Sequence, residues 1–202
     1  MPAPTDQRTG RFALFTECML TGLWFTLAAV PLVTIPAAFA AACAHLDRFL
    51  TGHPCGWRDF AADVRDGVTR SWWVALAGMG GIAVLAVDVL IASGRVGTTG
   101  GSTAGAPGAP LIIAVSVVLA VAMLVIGMRA AAAWTPGADW RVLLATAARQ
   151  ARVDVRGDVI LVGGLVVVAA VTWQLLPLFV PVVGCLAGAA LAVHRRYHDP
   201  DQ

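Results

Sequence analysis

The sequence predicts an all-α integral membrane protein with about six transmembrane helices in three hairpins and two cytoplasmic amphipathic helices. Apolar residues make up 58% of the 202 residues and charged residues only 13%, which leaves too little polar surface to cover a soluble domain of this length. The apolar residues also form runs long enough to cross a bilayer, and thirteen of the fourteen arginines can be placed on one side of it. We therefore treat residues 1–202 as a single membrane domain.

Two of the apolar runs predict single spans. A helix crosses roughly 30 Å of hydrocarbon with about 20 apolar residues. Residues 72–92 meet this length and contain one charge, Asp88, and residues 111–129 meet it and end at Arg129. These runs are predicted to be the third and fourth crossings.

Two longer apolar regions are each predicted to fold into a helical hairpin. Each region carries a pair of prolines near its middle, and proline lacks the backbone donor that a continuing helix needs. For residues 35–50 partial insertion is the alternative, because the run is alanine-rich and its last turns carry Asp47 and Arg48. The predicted spans are 12–30 and 35–50 around Pro31 and Pro36, and 159–176 and 178–194 around Pro177 and Pro181.

Arginine positions predict the orientation. Cytoplasmic loops collect Lys and Arg, and this chain has fourteen arginines and no lysine. Six crossings place thirteen of the arginines and both termini on the cytoplasmic side, and leave only Arg95 outside. Five crossings would put Arg8 and Arg11 on the far side, so we prefer six. The prediction is a multi-pass protein of a bacterial inner membrane, with a flexible external loop at residues 93–110.

Two cytoplasmic segments, residues 57–70 and 139–152, predict amphipathic helices. In each, apolar side chains recur at helical spacing with arginines on the other faces, and each contains a Trp-Arg pair at its start. One interpretation is that both helices lie in the membrane interface. The other is that they dock a cytoplasmic partner, such as a transporter complex or its ATPase, because the chain has no Walker A motif of its own. The residues assigned to this surface are Trp57, Arg58, Phe60, Trp140, Arg141 and Leu144.

Polar residues inside the predicted spans are candidates for function, because a charge at the bilayer centre costs about 2.5–3.5 kcal/mol. Asp88 lies near the outer end of its span, where it either faces a polar cavity or pairs with Arg95. For Glu17, near the inner end of the first span, the helix dipole and nearby arginines provide a structural explanation. The residues expected toward the outer side, where they would line one pocket, are Asp88, Thr34, Thr172 and Gln174.

The sequence predicts no catalytic, metal or cofactor site and no nucleic-acid partner. His194 and His198 flank two arginines, whose charge opposes cation binding, and no set of side chains is spaced for nucleophilic or acid–base catalysis. We therefore expect neither a disulfide framework nor a zinc site nor an enzyme. The cysteines, which form no CxxC pair, are Cys18, Cys43, Cys55 and Cys185.

Small residues in the last helix predict close helix packing. Gly184 and Gly188 form a GxxxG step, and in lipid such steps let two backbones approach closely. The step is predicted to pack against another helix of the chain or to form a homo-oligomer seam.

Short motifs in the first seventy residues resemble the YesL-like family of small bacterial membrane proteins. The shared features are a Leu-Trp pair in the first helix, a Pro-Ala-rich second helix, a basic-aromatic exit followed by glycine, and an aromatic-containing helix before the next span. The resemblance implies a multi-span protein associated with carbohydrate uptake and carries over no catalytic residue. The motifs are Leu23-Trp24, residues 35–41, residues 46–52 and residues 57–60.

Two functions follow from these predictions. The first is a non-enzymatic accessory membrane protein that assists a carbohydrate uptake system through its cytoplasmic helices. The alternative is a small transporter with a polar site near Asp88. Both place the protein in the lipid bilayer.

Overall fold

A computed structural model describes residues 4–93, 108–175 and 178–198 of the chain, and in these ranges every regular element is a helix. The prediction of an all-α protein is therefore confirmed for the described residues. Most of the predicted external loop, including Arg95, lies outside them, as does Pro177. The α-helices are α1 (Pro4–Ala28), α2 (Ile35–Leu50), α3 (Trp57–Ala92), α4 (Ala109–Ala132), α5 (Trp140–Val153), α6 (Val155–Gln174) and α7 (Phe179–His198), and a 3₁₀ turn at Leu32–Thr34 precedes α2.

Five helical segments among the described residues are long and apolar enough to cross a membrane. A sixth apolar segment, Phe12–Ala28 in α1, is shorter. These lengths are those of a membrane-spanning protein, while the arrangement as six crossings in three hairpins stays a prediction. The five segments are Leu32–Leu50, Trp57–Ala92, Ala109–Ala132, Val155–Gln174 and Phe179–Tyr197.

One continuous helix, α3, contains both the amphipathic segment and the span predicted for residues 57–70 and 72–92. It has 36 residues, which corresponds to about 54 Å at 1.5 Å per residue. The sequence between Trp57 and Ala92 contains no proline, so nothing breaks the backbone hydrogen bonds near Ser71. Because the hydrocarbon core is only about 30 Å thick, part of a membrane-crossing α3 must extend beyond it.

Helix α2 forms the centre of the bundle. Nine of its 16 residues are buried, and α1, α3, α4 and α7 all pack on it. Its small alanine side chains let neighbouring helices approach closely. At Ala37, for example, Gly67 of α3 is so near that a Cβ added to Gly67 would lie 3.0 Å from the Ala37 Cβ. The low hydropathy of α2 therefore reflects contact with protein on most sides rather than a polar environment.

Helices α1 and α7 touch through their backbones. A Cβ added to Gly184 would lie 1.8 Å from the carbonyl oxygen of Cys18, and one added to Gly22 would lie 2.0 Å from that of Val180. Gly188 lies on the same side, where an added Cβ would be 3.9 Å from the Cys18 Sγ. The GxxxG face of α7 is thus occupied inside the chain, and a homo-oligomer seam through Gly184 would have to displace α1.

Candidate functional site

Five helices meet in one layer of ion pairs, which we call the arginine end of the bundle. Arg195 near the end of α7 binds Asp47 near the end of α2, with 2.6 Å between Nη2 and Oδ1. Arg48, the next residue of α2, pairs with Asp63 of α3. The ends of α4 and α7 and the start of α6 meet in a second group of pairs. The contacts therefore bring Arg48, Arg129, Arg195 and Arg196, from distant parts of the sequence, to one end of the bundle. The side of the membrane on which this end lies stays a prediction.

Arg129 is the most buried charge of the arginine end. Its side chain is 4% exposed, and it reaches two carboxylates, with Nε 2.7 Å from Asp158 Oδ1 and Nη2 3.0 Å from Asp154 Oδ2. Arg196 of α7 adds a contact of 3.3 Å to Asp154. Two cations and two carboxylates thus clamp α4, α6 and α7 together, and a charged arginine is kept in a buried position by hydrogen-bonded partners.

Asp154 also caps α6. Its Oδ1 accepts the backbone N–H of Gly157 at 3.0 Å, which satisfies a helix-terminal donor. Burial acts to raise the pKa of this carboxyl, but the hydrogen bonds from Arg129 and Gly157 and the charges of Arg129 and Arg196 outweigh it, so the pKa is lowered from its ordinary value of 3.8. The folded state therefore favours the charged form of Asp154.

This lowered pKa predicts a pH dependence of stability. A depressed folded-state pKa contributes stability above the ordinary value of 3.8, and the contribution is lost as pH falls below that value through the folded-state pKa. We expect the unfolding midpoint of detergent-solubilised protein to fall more steeply between about pH 5 and about pH 2, roughly the range in which such a contribution is lost, in the wild type than in Asp154→Asn. Parallel curves for the two proteins would contradict the prediction.

A second polar group lies inside the same end of the bundle, where α1 meets α2. The Nε2 atom of His45 lies 2.6 Å from the Oε1 atom of Glu17, and the side chains are 0% and 18% exposed. The rings of Trp24 and Phe60 lie 5.0 Å and 6.4 Å from the His45 ring, measured between centroids. Glu17 therefore has a specific buried partner in addition to the helix dipole and the arginines that the sequence indicated.

Cys55 completes this group. It lies in the loop between α2 and α3, and one ligand atom from each of Glu17, His45 and Cys55 lies within 4.8 Å of the other two. Burial raises the pKa of the Cys55 thiol, the charge of Glu17 raises it further, and Arg48 opposes the shift. Because the thiolate is the nucleophile, a raised pKa argues against a nucleophilic cysteine at this position.

Sequence reasoning missed the Glu17–His45–Cys55 cluster because its members follow no ligand spacing. Glu17 and His45 are 28 residues apart and lie on two different helices. The available signal was their placement at the same predicted end of the first hairpin, beside the loop that carries Cys55. Spacing rules detect ligands that lie on one element, and this group depends on how three elements pack.

The two predicted amphipathic segments, 57–70 and 139–152, lie in α3 and α5, and α3 is linked to the connection that precedes α5. We call residues 57–71 of α3 and 140–153 of α5 together the platform. Asp66 accepts the backbone N–H of Gly137 at 3.1 Å, and Arg70 donates to the Gly137 carbonyl at 3.4 Å. Gly137 adopts a φ of 85° in the connection before α5, a conformation that favours glycine. The guanidinium of Arg141 lies 5.5 Å from the centre of the Trp73 ring.

The predicted platform residues divide into anchors and exposed positions. Phe60 and Trp140 are 5% and 2% exposed and hold α3 and α5 in the bundle. Trp57 is 64% exposed, Arg58 and Arg141 are exposed, and Leu144 is half-buried. The buried stripe of α3 runs through Phe60, Asp63, Gly67, Ser71 and Ala75. The bulky residues predicted to form one apolar face are thus shared between the core and the surface.

The four residues predicted for an outer pocket belong to different contacts. The Thr34 hydroxyl donates to the carbonyls of Ala28 and Pro31 and so closes the turn after α1. Asp88 is half-buried on α3, which packs mainly on α2 and α4, whereas Thr172 and Gln174 lie on α6, which packs mainly on α7. The described packing therefore does not pair the helix of Asp88 with that of Thr172.

Fold and site together define a class: an all-α protein with apolar helices long enough to span a membrane, closed at one end by a layer of ion pairs. No family model, curated protein or solved structure matches the chain. The resemblance to the YesL-like family stays a prediction.

Proposed function

We propose that the chain is a non-enzymatic accessory membrane protein whose platform binds an acidic surface of a cytoplasmic partner protein. The observation that carries this proposal is the joining of α3 and α5 through Asp66, Arg70 and Gly137. Two helices that are held in fixed relation present a surface that needs little ordering on binding, and preorganisation lowers the cost of association.

The charges of the platform support an acidic partner. All six of its arginines are exposed, and they are Arg58, Arg65, Arg70, Arg141, Arg149 and Arg152. Each of its three acidic side chains has a partner within the chain: Asp59 accepts the backbone N–H of Gly56, Asp63 pairs with Arg48 and Asp66 pairs with Arg70. Complementary charge favours such an encounter and helps to select the partner. A shallow groove on α3 is lined by Ala61, Ala62, Arg65, Asp66 and Thr69.

The cellular setting that we propose combines orientation and resemblance. With both termini in the cytoplasm of a bacterial inner membrane, the platform would face the compartment that contains the ATPases of import systems. The YesL-like resemblance adds carbohydrate uptake, so a sugar importer or its ATPase is the partner that we propose. The alternative of a transporter with a polar site near Asp88 has less support, because Asp88 and Thr172 lie on helices that do not pair.

Site-specific crosslinking tests this proposal. A photoreactive residue at Ala61, in native membranes, is expected to yield an adduct with a protein partner, and the same residue at the exposed Leu119 of α4 serves as the lipid-facing control. The Ala61 adduct should be lost in Arg58→Glu/Arg65→Glu and retained in Arg156→Glu, an exposed arginine outside the platform. It should also weaken at high salt, which screens exposed charges.

Two results would contradict the proposal. An Ala61 adduct that contains only lipid would assign the platform to the membrane interface. A protein adduct that is unchanged in Arg58→Glu/Arg65→Glu would remove the role of charge, and a partner with no connection to solute uptake would remove the proposed setting.

A further inference from the structure

The geometry points to a binding site for a divalent metal ion of the zinc type, formed by Glu17, His45 and Cys55. This inference is independent of the platform, because it rests on the inner contact between α1, α2 and the loop before α3. Carboxylate oxygen, imidazole nitrogen and cysteine sulfur are the three ligand types that zinc takes in proteins.

The positions of the ligand atoms support this site. One ligand atom from each residue lies within 4.8 Å of the other two, and bonds of about 2.0–2.3 Å to a shared zinc ion would hold such atoms roughly 3.3–3.8 Å apart. The Cys55 Sγ would move inward, which is feasible because Cys55 lies on a loop between helices. Glu17 and His45 would separate from their present 2.6 Å as the ion replaces their hydrogen bond.

The position of His45 supports its role as the imidazole ligand. The ring is 0% exposed, and its Nε2 atom lies 2.6 Å from Glu17 Oε1, so Nε2 is the nitrogen that would bind the ion. The other ring nitrogen, Nδ1, has no hydrogen-bond partner in the described part of the chain. It would need one in the metal-bound state, because a metal-ligating histidine ordinarily donates its second N–H to a protein or water acceptor.

The charge balance favours a divalent cation. Binding of the ion at Sγ would release the Cys55 thiol proton to solvent. Glu17 and the resulting thiolate would supply two negative charges around a neutral imidazole, so a divalent ion would give a neutral centre in a largely buried place. Three protein ligands leave one position of a tetrahedral ion for water or a small anion. Cys55, which is only half-buried, marks the side from which the ion and this fourth ligand would enter.

Cobalt substitution tests the site directly. Protein purified without a histidine tag is titrated with Co²⁺ alone, and we expect one ion per chain with a thiolate-to-cobalt charge-transfer band, both displaced by Zn²⁺. Cys55→Ser should abolish the band, and Glu17→Gln should weaken binding on the order of tenfold or more. His53→Ala and Cys185→Ser are the matched controls and should bind as the wild type does, because both residues lie outside the cluster. Size-exclusion profiles and circular dichroism verify that each variant is folded.

Several outcomes would overturn the inference. They are the absence of a charge-transfer band in the wild type, a band that persists in folded Cys55→Ser, and a band that is lost in Cys185→Ser or His53→Ala instead. If Cys55→Ser fails to fold, a Glu17→Gln variant that binds Co²⁺ as tightly as the wild type would also overturn the inference. Crosslinking at Ala61 tests the platform and cobalt titration tests the metal site, so either proposal can fail without the other.

Discussion

Replacing Gly184 by valine is expected to separate α1 from α7 and to lower the free energy of unfolding by about 3 kcal/mol, the upper part of the range for overpacked interiors. An added Cβ would lie 1.8 Å from the Cys18 carbonyl oxygen. The obstacle is backbone rather than a flexible side chain, so no rotamer change relieves it. The two helices would have to move apart along the contact that also includes Gly22 and Val180.

The measurement is the unfolding midpoint in detergent, with folded yield from the membrane as a second readout. Gly163→Val on α6 is the matched control, because an added Cβ there meets nothing within 4 Å. It should lie within about 0.5 kcal/mol of the wild type, as is usual for surface substitutions. Equal stability of the Gly184 and Gly163 variants would show that α1 and α7 are not in backbone contact.

Replacing Arg129 by methionine is expected to destabilise the folded protein by about 3–5 kcal/mol, the cost of removing one partner from a buried ion pair. The change would leave Asp158, which is 23% exposed, and Asp154, which is 14% exposed, without the guanidinium that they share. Arg196 would remain beside Asp154 at 3.3 Å. The larger share of the loss should therefore come through Asp158.

A double-mutant cycle measures the part of the lost stability that comes through Asp158. Asp158→Asn removes the carboxylate that Arg129→Met leaves behind, so the double variant should be more stable than the sum of the single effects predicts, by roughly 1–3 kcal/mol. Arg65→Met, at an exposed position of α3, is the control and should change stability little. Additive single effects, or an Arg129→Met variant as stable as the control, would contradict the clamp at the arginine end.

The class of protein was predictable because it depends on composition and run length. The apolar runs around Asp88 and Arg129 became α3 and α4, since a long apolar run without proline has one stable form in lipid, a helix with all its backbone groups paired. At Ser71 the sequence changes from polar to apolar residues, which predicts the end of the amphipathic segment, and the structure has one helix across that position. Helix continuity depends on backbone hydrogen bonds, which cross that change in polarity without interruption.

The sites were less predictable, because they join elements that are distant in the sequence. The sequence groups Asp88 and Thr172 only by their predicted depth in the membrane, and depth does not specify which helices are neighbours. Glu17 and His45 showed no pattern at all, and their contact of 2.6 Å exists because α1 and α2 pack side by side. For the platform, periodicity identified both segments but not the connection through Gly137.

The amino-acid sequence by itself determined that this protein is helical, that its helices are apolar enough for a bilayer, and that its arginines cluster. These properties follow from composition and from local periodicity, which need no knowledge of neighbours. Only the tertiary structure decided that α2 is the centre, that α1 and α7 meet at glycine, and that Glu17, His45 and Cys55 share one place. These features are set by which surfaces fit together, and close packing is a property of pairs of elements rather than of any one segment.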